Sequence, residues 1–331
     1  MHSRRALLAT AAALAGAPTT VPALAQAAPR RSTDPGTVFP EPGRRPWADA
    51  IPVLRIGISG GENETDRLAR NEPYRQLLEE TFRLPVRLYP AADFAGVGQA
   101  FAAGRIEMAQ MGAANYAGTW IDTRGAVEAL VAAEGDDGSL GYVSVMVVRA
   151  DSGITDIAGM RGRTLAWADP ASTSGYFAPR AALRAAGIDP AGYFSRTGFA
   201  GGHEQAVVSV LHGQYDAACT WASGQGDPAA GFSRGALRVM VDKGMLDMRD
   251  LRVIWRSDPI PAGPIACRAE LPEAFKEDMR RFFLALPLAH RAVYEGIERG
   301  GGTGFRTVTH ADYALVVKLR EEEAAERRRR R

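Results

Sequence analysis

The most informative segment of the chain is Trp167-Ala168-Asp169-Pro170-Ala171-Ser172-Thr173-Ser174-Gly175-Tyr176-Phe177. It follows a short apolar run at residues 164–167 and precedes a helical pattern at residues 179–186, which is the order strand, turn, helix. Its three consecutive hydroxyl residues would stand where first-turn N–H groups are unpaired and the helix dipole is positive, a place that suits an oxyanion. The same residue types are also ordinary N-caps, so the stretch alone leaves both interpretations open.

Apolar runs of strand length alternate with helical patterns along the rest of the chain. Strand patterns occur at residues 53–59, 86–89, 106–111, 141–149, 197–200, 216–221, 251–255 and 265–268. This alternation predicts an α/β fold of mixed sheets covered by helices, with ligands near the carboxyl ends of the strands. The first strand ends in a loop where Gly61 can bring the backbone close to a ligand and Glu62 can supply a carboxylate.

The length of the chain predicts two lobes, because roughly 300 mature residues exceed one ordinary core. The extended runs at 141–149 and 265–268 are candidate crossings between the lobes, and two crossings make a hinge. The predicted divisions are a signal peptide at 1–25, a flexible leader at 26–50, lobe 1 at 51–145 and 265–320, lobe 2 at 146–264, and a charged tail at 321–331. We expect the arginine-rich tail to be frayed and solvated.

The N-terminus has the pattern of an export signal. Arg4 and Arg5 precede an apolar run at residues 6–17, and Ala23-Leu24-Ala25 is a small-x-small cleavage pattern. The arginine pair is similar to a twin-arginine signal, and Sec export stays an alternative. Residues 1–25 hold two of the 40 basic residues and none of the 38 acidic ones, so the remaining chain is balanced in charge. We therefore expect an exported, periplasmic protein that does not bind nucleic acid.

No sequence pattern indicates a metal or a cofactor. The two cysteines, Cys219 and Cys267, lie in separate apolar runs and form no CxxC motif. We interpret them as buried thiols, while a disulfide is chemically allowed in an exported protein.

Several motifs occur in one order over most of the mature chain. They are Gly141-Tyr142, the 169–175 loop with Pro179, Ala200-Gly201-Gly202-His203-Glu204, Asp216-Ala217-Ala218, and Val253-Ile254-Trp255-Arg256-Ser257 followed by Ile260-Pro261. In this order the chain resembles the periplasmic phosphonate-binding proteins of ABC importers. The resemblance implies a two-lobed type II periplasmic binding protein that closes on its ligand, each lobe being a mixed sheet flanked by helices.

The resemblance also implies a binding site, residue by residue. The phosphonate oxygens would be held by Ser172, Thr173 and Ser174, with His203 at the start of its own helix. Tyr142 matches a tyrosine that reaches the ligand. The implied partners are a small oxyanion and an ABC permease, and we expect a monomer without a cofactor.

The chain departs from the family pattern at the other end of the ligand. Phe94 stands where aminoethylphosphonate binders have a tyrosine, and their two acids fall at Ser223 and Gly263 here. The resemblance therefore implies a neutral, partly apolar pocket that binds phosphite or a small alkylphosphonate better than aminoethylphosphonate. Asp227 or Glu62 could still supply a carboxylate from a neighbouring loop.

Other functions remain open at this point. A hydrolase would use Ser174 as nucleophile and His203 as base, but the chain lacks a G-x-S-x-G elbow, and we expect no enzyme. Trp221 either lines the pocket or fills a core. The ligand could instead be phosphate or a sulfonate, and the partner could be a sensor.

Overall fold

The structure is a computed structural model that describes residues 37–59, 63–299 and 302–329. The predicted signal peptide at 1–25, the first part of the predicted leader, and Gly61 and Glu62 lie outside the described residues. Among the described residues, no helix combines the length and the apolar character that crossing a membrane requires.

The described chain alternates strands and helices. The strands are β1 (Leu54–Ile58), β2 (Val86–Pro90), β3 (Met108–Gln110), β4 (Val127–Glu134), β5 (Gly141–Arg149), β6 (Thr164–Trp167), β7 (Arg196–Phe199), β8 (Ala217–Ala222), β9 (Leu251–Arg256), β10 (Ile260–Pro261), β11 (Pro264–Arg268) and β12 (Gly304–Thr307). The helices are α1 (Glu64–Phe82), α2 (Phe94–Ala102), α3 (Ala113–Asp122), α4 (Ala178–Ala185), α5 (Pro190–Tyr193), α6 (His203–Leu211), α7 (Ala236–Asp242), α8 (Glu273–Ala289), α9 (Arg291–Glu298) and α10 (Ala314–Arg329).

The first lobe is a six-stranded mixed sheet in the order β12-β4-β11-β3-β1-β2. The strand β1 runs parallel to β2 and β3, whereas β11 is antiparallel to β3 and β4. Separate hydrophobic clusters pack on it, one around Phe282 and Phe283 and another around Tyr116 and Tyr313. Helices therefore cover both faces, which explains why strands such as β4 are buried at nearly every position.

The second lobe is a mixed sheet in the order β10-β5-β8-β6-β7, with β9 also paired to β5. The strand β6 is parallel to β7 and β8, and β5 is antiparallel to β8, β9 and β10. Two further clusters cover it, one containing Leu237 and Met240 and the other Trp167 and Leu183. The prediction of two lobes with mixed, helix-flanked sheets is confirmed.

The crossings between the sheets lie side by side. The chain leaves the first sheet after β4 and enters the second at β5, so residues 135–140 form one crossing. It returns between β10 and β11, and there the N–H of Ala262 donates to the carbonyl oxygen of Leu140 at 3.1 Å. All of β5 pairs within the second sheet. The prediction that the first crossing lies within 141–149, with the lobe boundary at residue 145, is therefore wrong. The crossing precedes β5, because β8, β9 and β10 pair with β5 along its length.

The prediction of a flexible leader is wrong for residues 46–50. Pro46–Asp49 form a helical turn, and the Trp47 ring packs 5.6 Å from the ring of Phe82 and 5.1 Å from that of Phe275. The Trp47 Nε1 donates to Asp278 Oδ2 at 2.8 Å. A buried indole with a satisfied N–H ties this segment to the core.

The prediction of a frayed tail is wrong for residues 321–329, which continue α10. Glu323 is 6% exposed and accepts a hydrogen bond from Arg180 Nη1 at 2.7 Å. The Arg320 guanidinium lies 5.4 Å from the centre of the Phe177 ring. Because Arg180 belongs to α4 of the second lobe and α10 packs against α3 of the first, these contacts order the helix end.

The two cysteines lie in different sheets, Cys219 in β8 and Cys267 in β11. Both are buried and free. Burial raises the pKa of the Cys267 thiol to about 12 and that of Cys219 further. The interpretation as buried thiols is confirmed.

Candidate functional site

A cavity of about 170 Å³ lies between the two lobes, near the carboxyl ends of β3 and β6. It is lined by every described residue of the predicted site: Phe94, Tyr142, Ser172, Thr173, Ser174, His203 and Trp221. Five polar residues that the sequence did not indicate also line it: Ser59, Gln110, Arg234, Glu298 and Arg299.

The hydroxyl loop, residues 172–174, begins with a cap and a wide turn. The Ser172 Oγ accepts a hydrogen bond from the N–H of Gly175 at 3.0 Å, and Thr173–Phe177 form a π-helical turn that leads into α4. Such turns are frequent at functional sites. At Gly175, a Cβ would stand 2.3 Å from Ala168 Cβ and 3.0 Å from His203 Cε1. Only glycine lets the loop fold this closely onto the end of β6 and the histidine.

Thr173 connects the hydroxyl loop to the first lobe. Its Oγ1 accepts a hydrogen bond from the N–H of Ala114, in the first turn of α3, at 2.8 Å. The cap of α3 is Gly112, which has no side chain to offer. Burial raises the pKa of the Tyr142 phenol, and its hydrogen bonds with Ser174 and Thr173 offset part of that effect. Three neutral hydroxyl groups from two chain segments therefore meet at one place.

His203 lies at the start of α6, between two hydroxyl groups. Its Nε2 is 3.1 Å from Ser172 Oγ, and its Nδ1 is 3.2 Å from Thr220 Oγ1. Burial lowers the pKa of His203 to about 3, and the charge of Arg299 acts in the same direction. The imidazole is therefore neutral at ordinary pH.

One tautomer of His203 suits an anion in the cavity. With the proton on Nε2, Ser172 Oγ accepts from both the imidazole and the N–H of Gly175, which leaves its own O–H to donate. Thr220 then donates to Nδ1. This pairing differs from the hydrolase arrangement considered above, because His203 contacts Ser172 rather than Ser174 and has a hydroxyl rather than a carboxylate on Nδ1.

Aromatic rings form the apolar walls of the cavity. The Phe94 ring meets the His203 ring edge to face at 6.2 Å, and the Trp221 ring meets the Tyr142 ring in the same way at 5.7 Å. Trp221 lines the cavity and does not fill a core, which settles the two locations that the sequence left open.

The prediction of a neutral pocket beyond the hydroxyl loop is wrong. The Nη1 of Arg234 lies 3.5 Å from Glu298 Oε2, and Gln110 Nε2 donates to Glu298 Oε1 at 2.8 Å. Burial raises the pKa of Glu298, against the effect of Arg234 and Arg299. Arg234 lies in a polar loop, and Glu298 and Arg299 lie at the end of a helix. Charged residues in such places are usually exposed to solvent, so the sequence gives no signal that these three line a cavity.

The positions that the family resemblance assigned to acids cannot supply a carboxylate. At Gly263 a Cβ would stand 1.8 Å from the carbonyl oxygen of Met111, so no side chain fits. Ser223 bonds to Ser233 Oγ at 2.9 Å and lies outside the cavity lining. Asp227 is exposed and accepts from the N–H of Ala229 at 2.9 Å. Among the described residues that line the cavity, Glu298 is the one that carries a carboxylate.

A family model matches most of this chain. Residues 56–313 match the model described as "ABC transporter, phosphonate, periplasmic substrate-binding protein". The phosphate-import protein PhnD of Mycolicibacterium smegmatis is 26% identical over 249 residues, 71% of this chain and 73% of the relative. The phosphonates-binding periplasmic protein of Escherichia coli is 28% identical over 244 residues, 70% of this chain and 65% of the relative. The structure of PhnD1 from Prochlorococcus marinus in complex with methylphosphonate has a TM-score of 0.69 at 15% identity, covering 82% of this chain and 98% of that one.

Proposed function

This chain belongs to the phosphonate family of periplasmic substrate-binding proteins of ABC transporters, and we propose that it captures a phosphonate-type oxyanion between its lobes and delivers it to an ABC permease. The observation that carries the proposal is the hydroxyl loop, which shares one cavity with Tyr142 and a neutral His203.

The donors suit an oxyanion with several acceptor oxygens. Ser172, Ser174 and Tyr142 each carry an O–H, and Thr173 stands at the first turn of α3, where the helix dipole is positive. Hydrogen bonds from neutral donors to an ionised group are stronger than those between neutral groups. Since His203 stays uncharged, the hydroxyl loop recognises the head group by fixed donors rather than by an ion pair.

Two features favour a phosphonate over phosphate, the ligand named for the M. smegmatis relative. Phe94 and Trp221 present carbon surfaces to the cavity, and a fourth oxygen placed against them would lack a partner, whereas a carbon substituent needs none. Methylphosphonate, which is bound in the P. marinus structure, is of this class.

An ammonium at the far end of the ligand finds little support. Glu298 already accepts from Arg234 and Gln110, and Gly263 and Ser223 supply no acid. We therefore keep the order inferred from the sequence, with phosphite or a small alkylphosphonate bound more tightly than aminoethylphosphonate.

We also propose the export route, the monomeric state and the non-enzymatic role that the sequence indicates. Residues 1–25 act as a cleaved export signal, with a twin-arginine route favoured by Arg4 and Arg5. The mature chain works as a monomeric carrier and not as an enzyme, and its balanced charge argues against nucleic acid as a partner.

Titration calorimetry of the purified exported protein tests the proposal. Methylphosphonate, phosphite, phosphate, aminoethylphosphonate, sulfate and taurine are compared under one buffer condition. We expect saturable binding of methylphosphonate, tighter than that of aminoethylphosphonate, phosphate or either sulfur compound. Absence of binding to every phosphorus compound, with the fold intact by circular dichroism, would contradict the proposed function.

A further inference from the structure

Arg234 is a buried cation whose donors are largely unused. The residue is 5% exposed and lines the cavity. Within the described part of the chain, its guanidinium has one hydrogen bond, to Glu298 at 3.5 Å, and its Nε has no partner. A guanidinium has five N–H donors, and leaving such donors buried without acceptors is costly. An acceptor delivered by a ligand would remove that cost.

The surroundings of Arg234 are distinct from the hydroxyl loop. Arg234 contacts Glu298, which Gln110 also contacts, whereas Thr173 contacts Ala114. Across the described residues, no hydrogen bond joins these two networks directly. The same cavity therefore presents two polar regions, one of neutral hydroxyls and one that contains a guanidinium.

The cavity has room for a ligand that reaches both regions. Its volume of about 170 Å³ is well above the roughly 10–15 Å³ that one water molecule requires. That is space for a phosphonate head and a short second group.

We propose that the natural ligand is a small phosphonate with a second acidic group, whose head lies at the hydroxyl loop and whose second anion, of the carboxylate type, lies at Arg234. The proposal deepens the proposed function and depends on it. Planar carboxylates match the fork of the guanidinium in two parallel hydrogen bonds. Glu298 is the single carboxylate among the described side chains that line the cavity, and its one hydrogen bond with Arg234 leaves other donors of that guanidinium for a ligand anion.

The decisive comparison is between phosphonoacetate and phosphonoacetamide, which have nearly the same shape and differ in the charge of the second group. Calorimetry on the wild-type protein should show phosphonoacetate binding about 10- to 100-fold more tightly, the range of one charge-assisted interaction. Equal affinities for the acid and the amide would overturn the proposal without any variant.

The paired variant Arg234→Met with Glu298→Gln locates the second group. Both changes are made together because Met alone would leave Glu298 buried without its cation. We expect the acid and the amide to bind this variant equally, and the loss of affinity for phosphonoacetate to exceed the loss for methylphosphonate. An equal loss for methylphosphonate would mean that Arg234 holds the head group, which contradicts the proposal.

Arg234→Lys is the conservative control if the paired variant fails to fold. It keeps the charge but loses the planar fork, so we expect an intermediate preference for the acid. Methylphosphonate separates the two proposals: if it binds but the acid shows no advantage, only the second anion is wrong. If no phosphonate binds, both fail.

Discussion

Thr173 of the second lobe and Ala114 of the first are joined by a hydrogen bond of 2.8 Å, in which the Thr173 Oγ1 accepts from the Ala114 N–H. The N–H lies in the first turn of α3, where no helical carbonyl can serve it. One side chain of the hydroxyl loop thus contacts both the opposite lobe and the cavity. We therefore expect closure of the lobes and recognition of the ligand to be coupled through Thr173.

Thr173→Val should weaken binding of methylphosphonate by about 10- to 100-fold, because it removes a hydroxyl that contacts both the ligand cavity and Ala114. Ser174→Ala should weaken it to a similar degree. Thr173→Ser keeps the hydroxyl and should retain most of the affinity. Calorimetry measures the effect, and unchanged affinity in both Val and Ala variants, with the fold intact, would mean that the loop is only a helix cap.

Thr220→Val should weaken binding although Thr220 does not line the cavity. Its Oγ1 lies 3.2 Å from His203 Nδ1, and an O–H that donates there would favour the tautomer with the imidazole proton on Nε2, beside Ser172. Without it we expect a mixture of tautomers by ¹⁵N NMR and a loss of affinity of about tenfold. Thr220→Ser should restore both. A normal tautomer in the Val variant would show that Thr220 acts through packing.

His203 should make the protein less stable as the pH falls. Burial lowers its pKa to about 3, against about 6.5 in an unfolded chain. Between those two values only the unfolded state gains the proton. The effect of His203 on the free energy of unfolding is therefore absent above about pH 6.5. Below that pH the free energy of unfolding falls by roughly 1.4 kcal/mol per pH unit, down to about pH 3.

His203→Gln removes this titration while keeping a hydrogen-bonding side chain. Denaturant unfolding between pH 7 and 4.5 should therefore show a shallower fall in the free energy of unfolding for the variant than for the wild type. The carboxylates common to both proteins cancel in the comparison. Parallel curves would mean that His203 has nearly the same pKa in the folded and the unfolded state.

Ligand binding should reduce the radius of gyration in small-angle scattering, because a ligand that contacts both lobes stabilises the closed form. A contact between the lobes joins Lys243 of the second lobe to Asp66 of the first, at 3.2 Å. Asp66→Asn removes this half-exposed pair and should lower affinity by less than about fivefold. A radius that does not change at saturation would indicate a rigid protein.

Local patterns predicted most elements of the fold. The strand β1, the helix α3 and the turn after β6 lie close to their predicted positions. The strand β4 was missed because its residues, Val127-Glu128-Ala129-Leu130-Val131-Ala132-Ala133-Glu134, are rich in helix formers. It is a strand because β11 and β12 pair with its two edges.

The hydroxyl loop, its histidine and the α/β alternation could be predicted from the sequence, since each follows from residues close together in the chain or from an ordered set of motifs. The buried contact between Arg234 and Glu298 in the cavity joins residues 64 apart and depends on the folding of the whole chain. The tertiary structure also decides that Gly263 has no room for a side chain. Both properties depend on which surfaces the two lobes bring together. A charged side chain becomes costly to bury, and its pKa shifts, only after that packing has removed it from water.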